Sequence, residues 1–299
     1  MTELDLQLPI DIGPHLAAWR TDASVAFALL GSYARGDAGH FSDLDIVHFV
    51  NDDRLADDSR SFLIERIAGG SASVPAGNGR SPSCLVVRST ATPGQVERWF
   101  TEPGQAVNFV AGLREGRSLW DPHGVFAAIQ ERARRFEWTT ALQEEASRLA
   151  GQEMVGWIEE VHKGLEGLRR NDTGRLLNAR FGLSWGLAWV VRLQRGVLSA
   201  SDNSFFDDVV AAVGSESEWA RLLCGAFGVS DGDSCVFSSL HEMVRAGLLL
   251  YCETFELLKK AVAGEHYPLI EATVRCIRAE LGENHPTDGR ARSGRHIRP

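Results

Sequence analysis

The first part of the chain alternates short apolar runs with polar turns, a pattern typical of β-strands in a mixed α/β fold. The runs SVAFALL (24–30), DLDIVHFV (43–50) and SCLVVRS (83–89) predict three strands. The spacing around them predicts an order of roughly helix, strand, turn, strand, helix, strand, helix, with the last helix near residues 125–136. We therefore expect residues 1–138 to form an α/β domain with a mixed sheet.

After residue 139 the apolar positions follow the 3.6-residue period of an α-helix. One helical face collects Met154, Ile158, Val161, Leu165 and Leu168, and a later one collects Leu240, Val244, Leu248, Tyr251, Phe255 and Leu258. The stretch 176–193 is apolar nearly all round, which is typical of a helix buried inside a bundle. We therefore predict an all-helical domain of five or six helices at 139–283 and a disordered tail at 284–299.

Composition narrows the class of protein. The 299 residues are 44% hydrophobic and carry a formal net charge of -9, which argues against a surface that coats nucleic acid. The five cysteines form no C-x-x-C pair, so reduced thiols are expected. The acidic N-terminus is unlike a signal peptide, and charged residues interrupt the most apolar helices. We expect a cytoplasmic protein that binds neither nucleic acid nor membrane.

Two carboxylates stand out in the stretch GSYARGDAGHFSDLDIVHF at 31–49. Side chains alternate along a strand, so Asp43 and Asp45 share one face while Leu44 and Ile46 lie on the other. Two carboxylates this close repel each other unless a cation lies between them. Mg²⁺, held by one or two carboxylates and substrate phosphates, is the usual solution. The pattern predicts a metal site on Asp43 and Asp45.

A phosphate site is predicted next to these carboxylates. Gly31 and Ser32 directly follow the apolar run AFALL, where a strand ends and a helix begins. Free N–H groups, a hydroxyl and a residue without a side chain suit a phosphate group. Arg35 either adds positive charge to the phosphates or pairs with Asp37. Phosphate cradle and metal ligands on adjacent strands are the layout of nucleotidyl transfer with two metal ions.

The same stretch resembles the G-S-x-A-R-G … S-D-x-D motif of the DNA polymerase beta-type nucleotidyltransferase superfamily. It is similar in particular to the small bacterial branch, with the kanamycin, streptomycin and lincosamide enzymes and the minimal nucleotidyltransferases. The matching positions are Gly31, Ser32, Ala34, Arg35, Gly36, Ser42, Asp43 and Asp45. The resemblance implies that Asp43 and Asp45 are catalytic and ligate Mg²⁺. It also implies nucleotide binding by Gly31 and Ser32, with which we group Arg35 and Ser42.

The resemblance implies a function as well. The expected reaction transfers AMP from ATP to a hydroxyl group, with release of pyrophosphate. The expected acceptor is a small polyhydroxylated molecule such as an aminoglycoside or a lincosamide, bound with the help of the helical domain. Two alternatives stay open at this point: a partner protein as the acceptor, or a nucleotide-binding protein that has lost catalysis.

One expected residue is missing from the sequence. Family members commonly carry a third carboxylate on the next strand, yet residues 83–88 contain neither Asp nor Glu. Either this acid comes from elsewhere, or two carboxylates suffice, or catalysis is lost. Glutamates outside the motif are the candidates for a general base; they are Glu97, Glu145, Glu153, Glu159 and Glu160.

Overall fold

The computed structural model describes residues 8–57, 62–68, 83–229, 239–262 and 264–282. The chain divides into two compact units, one made of Met1–Leu149 and Arg192–Ala212, the other of Ala150–Val191 and Val213–Pro299. Each unit therefore draws on two separate stretches of the chain. The predicted domain boundaries at 138/139 and 283/284 stay predictions, and the predicted tail lies outside the described residues.

A five-stranded mixed sheet forms the centre of the first unit. Its strands are β1 (Ser24–Leu30), β2 (Leu44–Val50), β3 (Phe62–Ala68), β4 (Ser83–Ala91) and β5 (Arg117–Trp120). They lie in the order β3-β4-β2-β1-β5, with β2 and β4 parallel and the other neighbours antiparallel. The three strands predicted from apolar runs are confirmed. β3 was not predicted; it lies where a helix was expected, and the Gly-rich loop beside it falls largely outside the described residues.

Helices cover both faces of this sheet. They are α1 (Gly13–Trp19), α2 (Gly31–Arg35), α3 (Pro93–Thr101), α4 (Pro103–Glu115) and α5 (Val125–Arg134), with a 3-10 turn at Asp53–Asp57. On one face, Phe27 and Ile46 pack with Leu16 of α1. On the other, Val47 and Phe49 pack with aromatic and aliphatic side chains of α3, α4 and α5. Because both faces are buried, the central strands are apolar almost throughout.

The later part of the chain is helical, as predicted. Its helices are α6 (Thr140–Gly156), α7 (Ile158–Arg170), α8 (Thr173–Phe181), α9 (Leu187–Arg195), α10 (Phe205–Val213), α11 (Glu218–Phe227), α12 (Leu240–Leu258) and α13 (Tyr267–Leu281), and a π-helical turn at Gly182–Gly186 joins α8 to α9. The described residues thus form more helices here than the five or six expected. One break comes at Asn171, whose left-handed conformation ends α7, and Asp172 then caps α8.

The core of the second unit centres on α12. The predicted face of this helix is confirmed, since Val244, Leu248, Tyr251 and Phe255 are all buried. The stretch 176–193 differs from the expectation of burial all round, because Leu177, Phe181 and Trp185 are about half exposed or more (53%, 64% and 48%). None of the described helices has the length and apolar character needed to cross a membrane.

Candidate functional site

Asp45 lies near the start of β2, in the middle of the sheet. Its partner on β1 is Leu30, the last residue of that strand, and its partner on β4 is Val87. Asp43 directly precedes β2. Leu44 and Ile46, between and after the two aspartates, are buried against the α1 face. The sheet therefore holds the carboxylate of Asp45 beside the junction of β1 and α2.

Gly31 forms that junction, and its shape matters to Asp45. Its φ is +67°, in the left-handed region that residues with a Cβ rarely adopt. A Cβ built on Gly31 would overlap Oδ2 of Asp45 and lie 3.1 Å from its Cγ. The glycine is thus required twice, once for the turn into α2 and once for the space that the Asp45 carboxylate occupies. Ser32 is the next residue of this five-residue helix.

Negative charge is in excess around Asp45. Burial is the main cause that raises the pKa of Asp45 from its usual 3.8 to about 6, and the negative charge of Asp43 adds to it. Arg35 acts in the opposite direction, and Asp202 adds further negative charge. Asp45 therefore gains from any cation that reaches it.

Arg35 ends α2 and is engaged by protein groups. Its Nε lies 3.1 Å from Oδ2 of Asp37 and 3.9 Å from Oε2 of Glu115. Its Nη1 donates a hydrogen bond to the carbonyl of Ala200 at 3.1 Å. Of the two roles considered for Arg35, pairing with Asp37 is the one seen here.

Ser42 lies in the loop between α2 and β2. Its hydroxyl accepts a hydrogen bond from the backbone N–H of Gly39 at 2.8 Å. The backbone N–H of Ser42 donates to the carbonyl of Gly39 at 3.1 Å. Ser42 thus closes the turn that leads the chain into Asp43.

The neighbouring strand β4 carries no acid at the level of Asp45. Val87 is paired with Asp45, and Ile64 of the edge strand β3 is paired with Val87 in turn. Side chains in register on adjacent strands lie on the same face. The row beside Asp45 is therefore apolar, and Ile64 is 58% exposed.

The glutamates proposed as general bases are mostly engaged elsewhere. Glu97 pairs with Arg132 at 2.7 Å, Glu145 with Arg148 at 2.6 Å, and Glu159 and Glu160 both with Lys163. Glu153 is different, because burial raises its pKa. Glu153, Glu159 and Glu160 belong to the second unit.

Asp202 is a further acid that the sequence analysis did not single out. It lies in the connection between α9 and α10, which belongs to the first unit although it follows the first stretch of the second unit in the chain. Its charge acts on Asp45. Nothing in the local sequence marks it, since Asp202 stands in an ordinary polar turn far from the motif.

The residues present fit a Mg²⁺ ion that is shared with a nucleotide. No group of three or more His, Cys, Asp or Glu side chains that could hold a metal ion occurs within the described ranges. Mg²⁺ is usually bound through one or two carboxylates, with substrate phosphates and water completing its shell. The repulsion between Asp43 and Asp45 suits such an ion.

Comparisons with known proteins bear on the segment that carries these residues. Curated proteins offer no match to the sequence. Among solved structures, the chain is similar to a nucleotidyltransferase-like protein from Exiguobacterium sibiricum 255-15, with 12% identity, a TM-score of 0.44, and coverage of 91% of this chain and 86% of that one. Residues 16–73 match the family model of the nucleotidyltransferase domain. This match agrees with the resemblance indicated by the motif, so residues 16–73 are similar to a nucleotidyltransferase domain.

Proposed function

We propose that this protein is a Mg²⁺-dependent nucleotidyltransferase that transfers AMP from ATP to a hydroxyl group of a small polyhydroxylated acceptor. Aminoglycosides and lincosamides, the substrates of antibiotic resistance enzymes, are acceptors of this kind. The observation that carries the proposal is the pair Asp43 and Asp45 beside Gly31, inside the segment that matches the nucleotidyltransferase domain. A cytoplasmic location belongs to the proposal, because ATP and Mg²⁺ are abundant there.

The reaction exchanges one phosphorus–oxygen bond for another. The acceptor hydroxyl forms a bond to the α-phosphorus of ATP, and the bond from that phosphorus to the bridging oxygen breaks. Pyrophosphate leaves, and the hydroxyl proton passes to a base. We assign the triphosphate to the backbone at Gly31 and Ser32, with Arg35 and Ser42 supporting the loop between them and the aspartates.

Asp43 and Asp45 would hold Mg²⁺, in one or two ions, against the phosphates. When bound, Mg²⁺ neutralises negative charge on the phosphate oxygens and aligns the reacting groups. The β2 backbone keeps Asp45 in place, and Gly31 leaves room for its carboxylate. Burial is the main cause of the raised pKa of Asp45, about 6, and the negative charge of Asp43 that adds to it is relieved by a cation.

A second candidate function is nucleotide binding without transfer. Val87 favours it, because an acid is common at this strand in the family and a valine can neither bind a metal nor accept a proton. The two functions predict different products, so pyrophosphate release separates them.

The test is pyrophosphate release from ATP and Mg²⁺ across a panel of aminoglycosides, lincosamides and nucleosides. Asp45→Asn is expected to abolish release with the fold intact. Asp22→Asn is the matched control, since Asp22 is an exposed aspartate in the turn before β1. Binding of ATP and Mg²⁺ without release for any acceptor would instead support the second function.

A further inference from the structure

We propose that a cleft at the far end of the sheet from Asp45 binds an amino acid with an apolar side chain. The cleft has a volume of about 330 Å³, which is within the range of small-ligand sites in proteins. Val50, the last residue of β2, and Asn51 after it line the cleft, whereas Asp45 lies near the beginning of that strand. Five residues of extended chain span roughly 16 Å. The cleft is therefore separate from the nucleotide site, and the inference goes beyond the proposed function.

The cleft lies where the two parallel strands of the sheet end. Carboxyl ends of parallel strands are a usual place for ligands in α/β folds. Ala91, the last residue of β4, lines the cleft together with Thr92, which caps α3. The first N–H groups of α3 are already engaged, since the side chain of Thr92 accepts from Gln95 and Asp53 accepts from Gly94 at 2.8 Å. Recognition of a charged ligand group therefore depends on other side chains.

The walls of the cleft are largely apolar. They include Val25 of β1, Phe49 of β2, Val96 of α3, and Val125 and Ile129 of α5. Phe49 is buried, and the four aliphatic side chains are partly buried against the core on this side of the sheet. Apolar surface that stays in contact with water is unfavourable, and an apolar ligand group removes it from water. These walls suit an aliphatic or aromatic group.

An ion pair also borders the cleft. It joins Arg132 of α5 to Glu97 of α3, and both residues line the cleft. Nη1 and Nη2 of Arg132 donate to the two carboxylate oxygens of Glu97 at 2.7 and 3.0 Å. The guanidinium lies over the ring of Phe100, 4.2 Å from its centroid, which favours one orientation. The two side chains are about half exposed (45% and 57%), so both charges are accessible to a ligand.

This ion pair retains hydrogen-bonding capacity for a ligand that carries both charges. A guanidinium has five N–H donors, and a carboxylate has about four lone-pair sites. Within the described ranges, Arg132 gives two of its donors to Glu97. An α-carboxylate suits the remaining donors of Arg132, and an α-ammonium group suits Glu97. Both groups are attached to the same carbon atom in an amino acid, and an apolar side chain on that carbon would meet the apolar walls.

The experiment measures binding to the full chain by isothermal titration calorimetry, with L-valine, L-leucine and L-phenylalanine as probes. We expect at least one of them to bind. Two analogues of leucine test the need for both charges: 4-methylpentanoate lacks the ammonium group, and 3-methylbutylamine lacks the carboxylate. Each is expected to bind about tenfold more weakly than L-leucine or worse, as expected for the loss of charge-assisted hydrogen bonds.

Variants of the cleft test its residues. Arg132→Gln and Glu97→Gln are each expected to weaken binding about tenfold or more. Arg98→Gln is the matched control, because Arg98 pairs with Glu102 at 2.9 Å, is exposed to a similar degree (56%) and lies on α3 outside the cleft. It is expected to leave binding unchanged. Val96→Phe fills the cleft but keeps both charges, and it is expected to abolish binding.

The inference is wrong if none of the three amino acids binds to wild type, or if 4-methylpentanoate binds as tightly as L-leucine. It is also wrong if Arg98→Gln weakens binding as much as Arg132→Gln, or if Val96→Phe leaves binding unchanged. Circular dichroism checks that each variant is folded, and Glu97→Gln tests the ion pair independently of Arg132→Gln. These measurements involve neither ATP nor pyrophosphate, so their failure would leave the proposed function unaffected.

Discussion

The carboxylate of Asp45 occupies the space that a Cβ of Gly31 would need. One residue belongs to the turn after β1 and the other to β2, so each constrains what the other can be. This shared space explains why a glycine stands beside Asp45, whose pKa is raised by burial and nearby charge. It also makes Gly31 the most direct place to disturb Asp45 without removing it.

Gly31→Ala is expected to abolish binding of Mn²⁺ with nucleotide, because the new methyl group displaces the Asp45 carboxylate. Part of the loss of stability, about 1 kcal/mol, comes from the left-handed backbone alone. Gly36→Ala is the matched control: Gly36 also has a positive φ of +88°, but a Cβ there meets nothing within 4 Å. Equal loss of binding in both variants would contradict the assignment.

Asp45→Asn is expected to make the nucleotide-free protein more stable above pH 6 while it abolishes activity. The folded-state pKa of about 6 lies above the usual 3.8, so ionising Asp45 costs stability. This cost is absent below pH 3.8, grows up to pH 6 and is complete above it. We expect a gain of about 1 kcal/mol at pH 8, allowing for solvent screening. Urea unfolding measures this gain, and the control Asp22→Asn is expected to leave the free energy of unfolding unchanged. If Asp45→Asn is no more stable than wild type at pH 8, the raised pKa is wrong.

The contribution of His48 to stability is expected to depend on pH in the opposite sense to that of Asp45. Its ring stacks on Phe27 at 4.3 Å, and burial is the main cause that lowers its pKa from 6.5 to about 4. A depressed pKa means that the folded state prefers the neutral ring, so stability is full above pH 6.5 and falls as pH drops through 4. In His48→Gln, the free energy of unfolding measured in urea is expected to fall less as the pH is lowered. Ser24→Ala removes the 2.7 Å hydrogen bond to His48 and those to Thr21, but it leaves the buried ring in place and is expected to retain the loss of stability in acid.

Arg35→Met is expected to loosen the connection around residues 198–204. The variant loses the hydrogen bond to the carbonyl of Ala200, and faster amide hydrogen exchange there is the readout. Asp37→Ala is the control, because the Arg35–Asp37 pair involves an exposed carboxylate and contributes little. Unchanged exchange in Arg35→Met would show that other contacts hold the connection.

In the second unit, a buried hydrogen bond joins Trp219 to Thr254. The indole Nε1 donates to the Thr254 hydroxyl at 2.9 Å, and both residues are buried. Thr254→Val leaves this donor without a partner and is expected to cost about 1 to 3 kcal/mol in urea unfolding. Thr254→Ser keeps the hydroxyl and is expected to cost less. No loss of stability in Thr254→Val would show that the hydrogen bond contributes little.

The sequence predicted those elements whose signal is local. The central strands are buried on both faces, so their apolar runs identify them without knowledge of their partners. β3 lacks such a signal, because Phe62 and Ile64 are exposed and Glu65 and Arg66 interrupt the run. An edge strand of this kind is fixed by pairing with β4, and that pairing is not local.

In the candidate site, too, the residues close together in the sequence were predicted and a distant one was not. Gly31, Ser32, Asp43 and Asp45 lie close together in the sequence, so spacing alone brought them into one hypothesis. The charge of Asp202 acts on Asp45 from a connection far along the chain, which hydrogen bonds of Arg35 and Arg192 hold in the first unit. Hydrogen bonds from side chains to distant carbonyls leave no periodic pattern in a sequence. A charge contributed by so distant a segment could therefore not be predicted from the sequence.

The return of residues 192–212 to the first unit has a consequence for how the protein is made. A growing chain leaves the ribosome from its N-terminus, so all five strands emerge well before Arg192 and Leu198, which pack against the elements around them. The nascent sheet must wait, on the order of seconds, while the first helices of the second unit are synthesised. During that interval a chaperone could hold it, and a ribosome stalled before residue 192 would carry a sheet that lacks the contacts of Arg192 and Leu198.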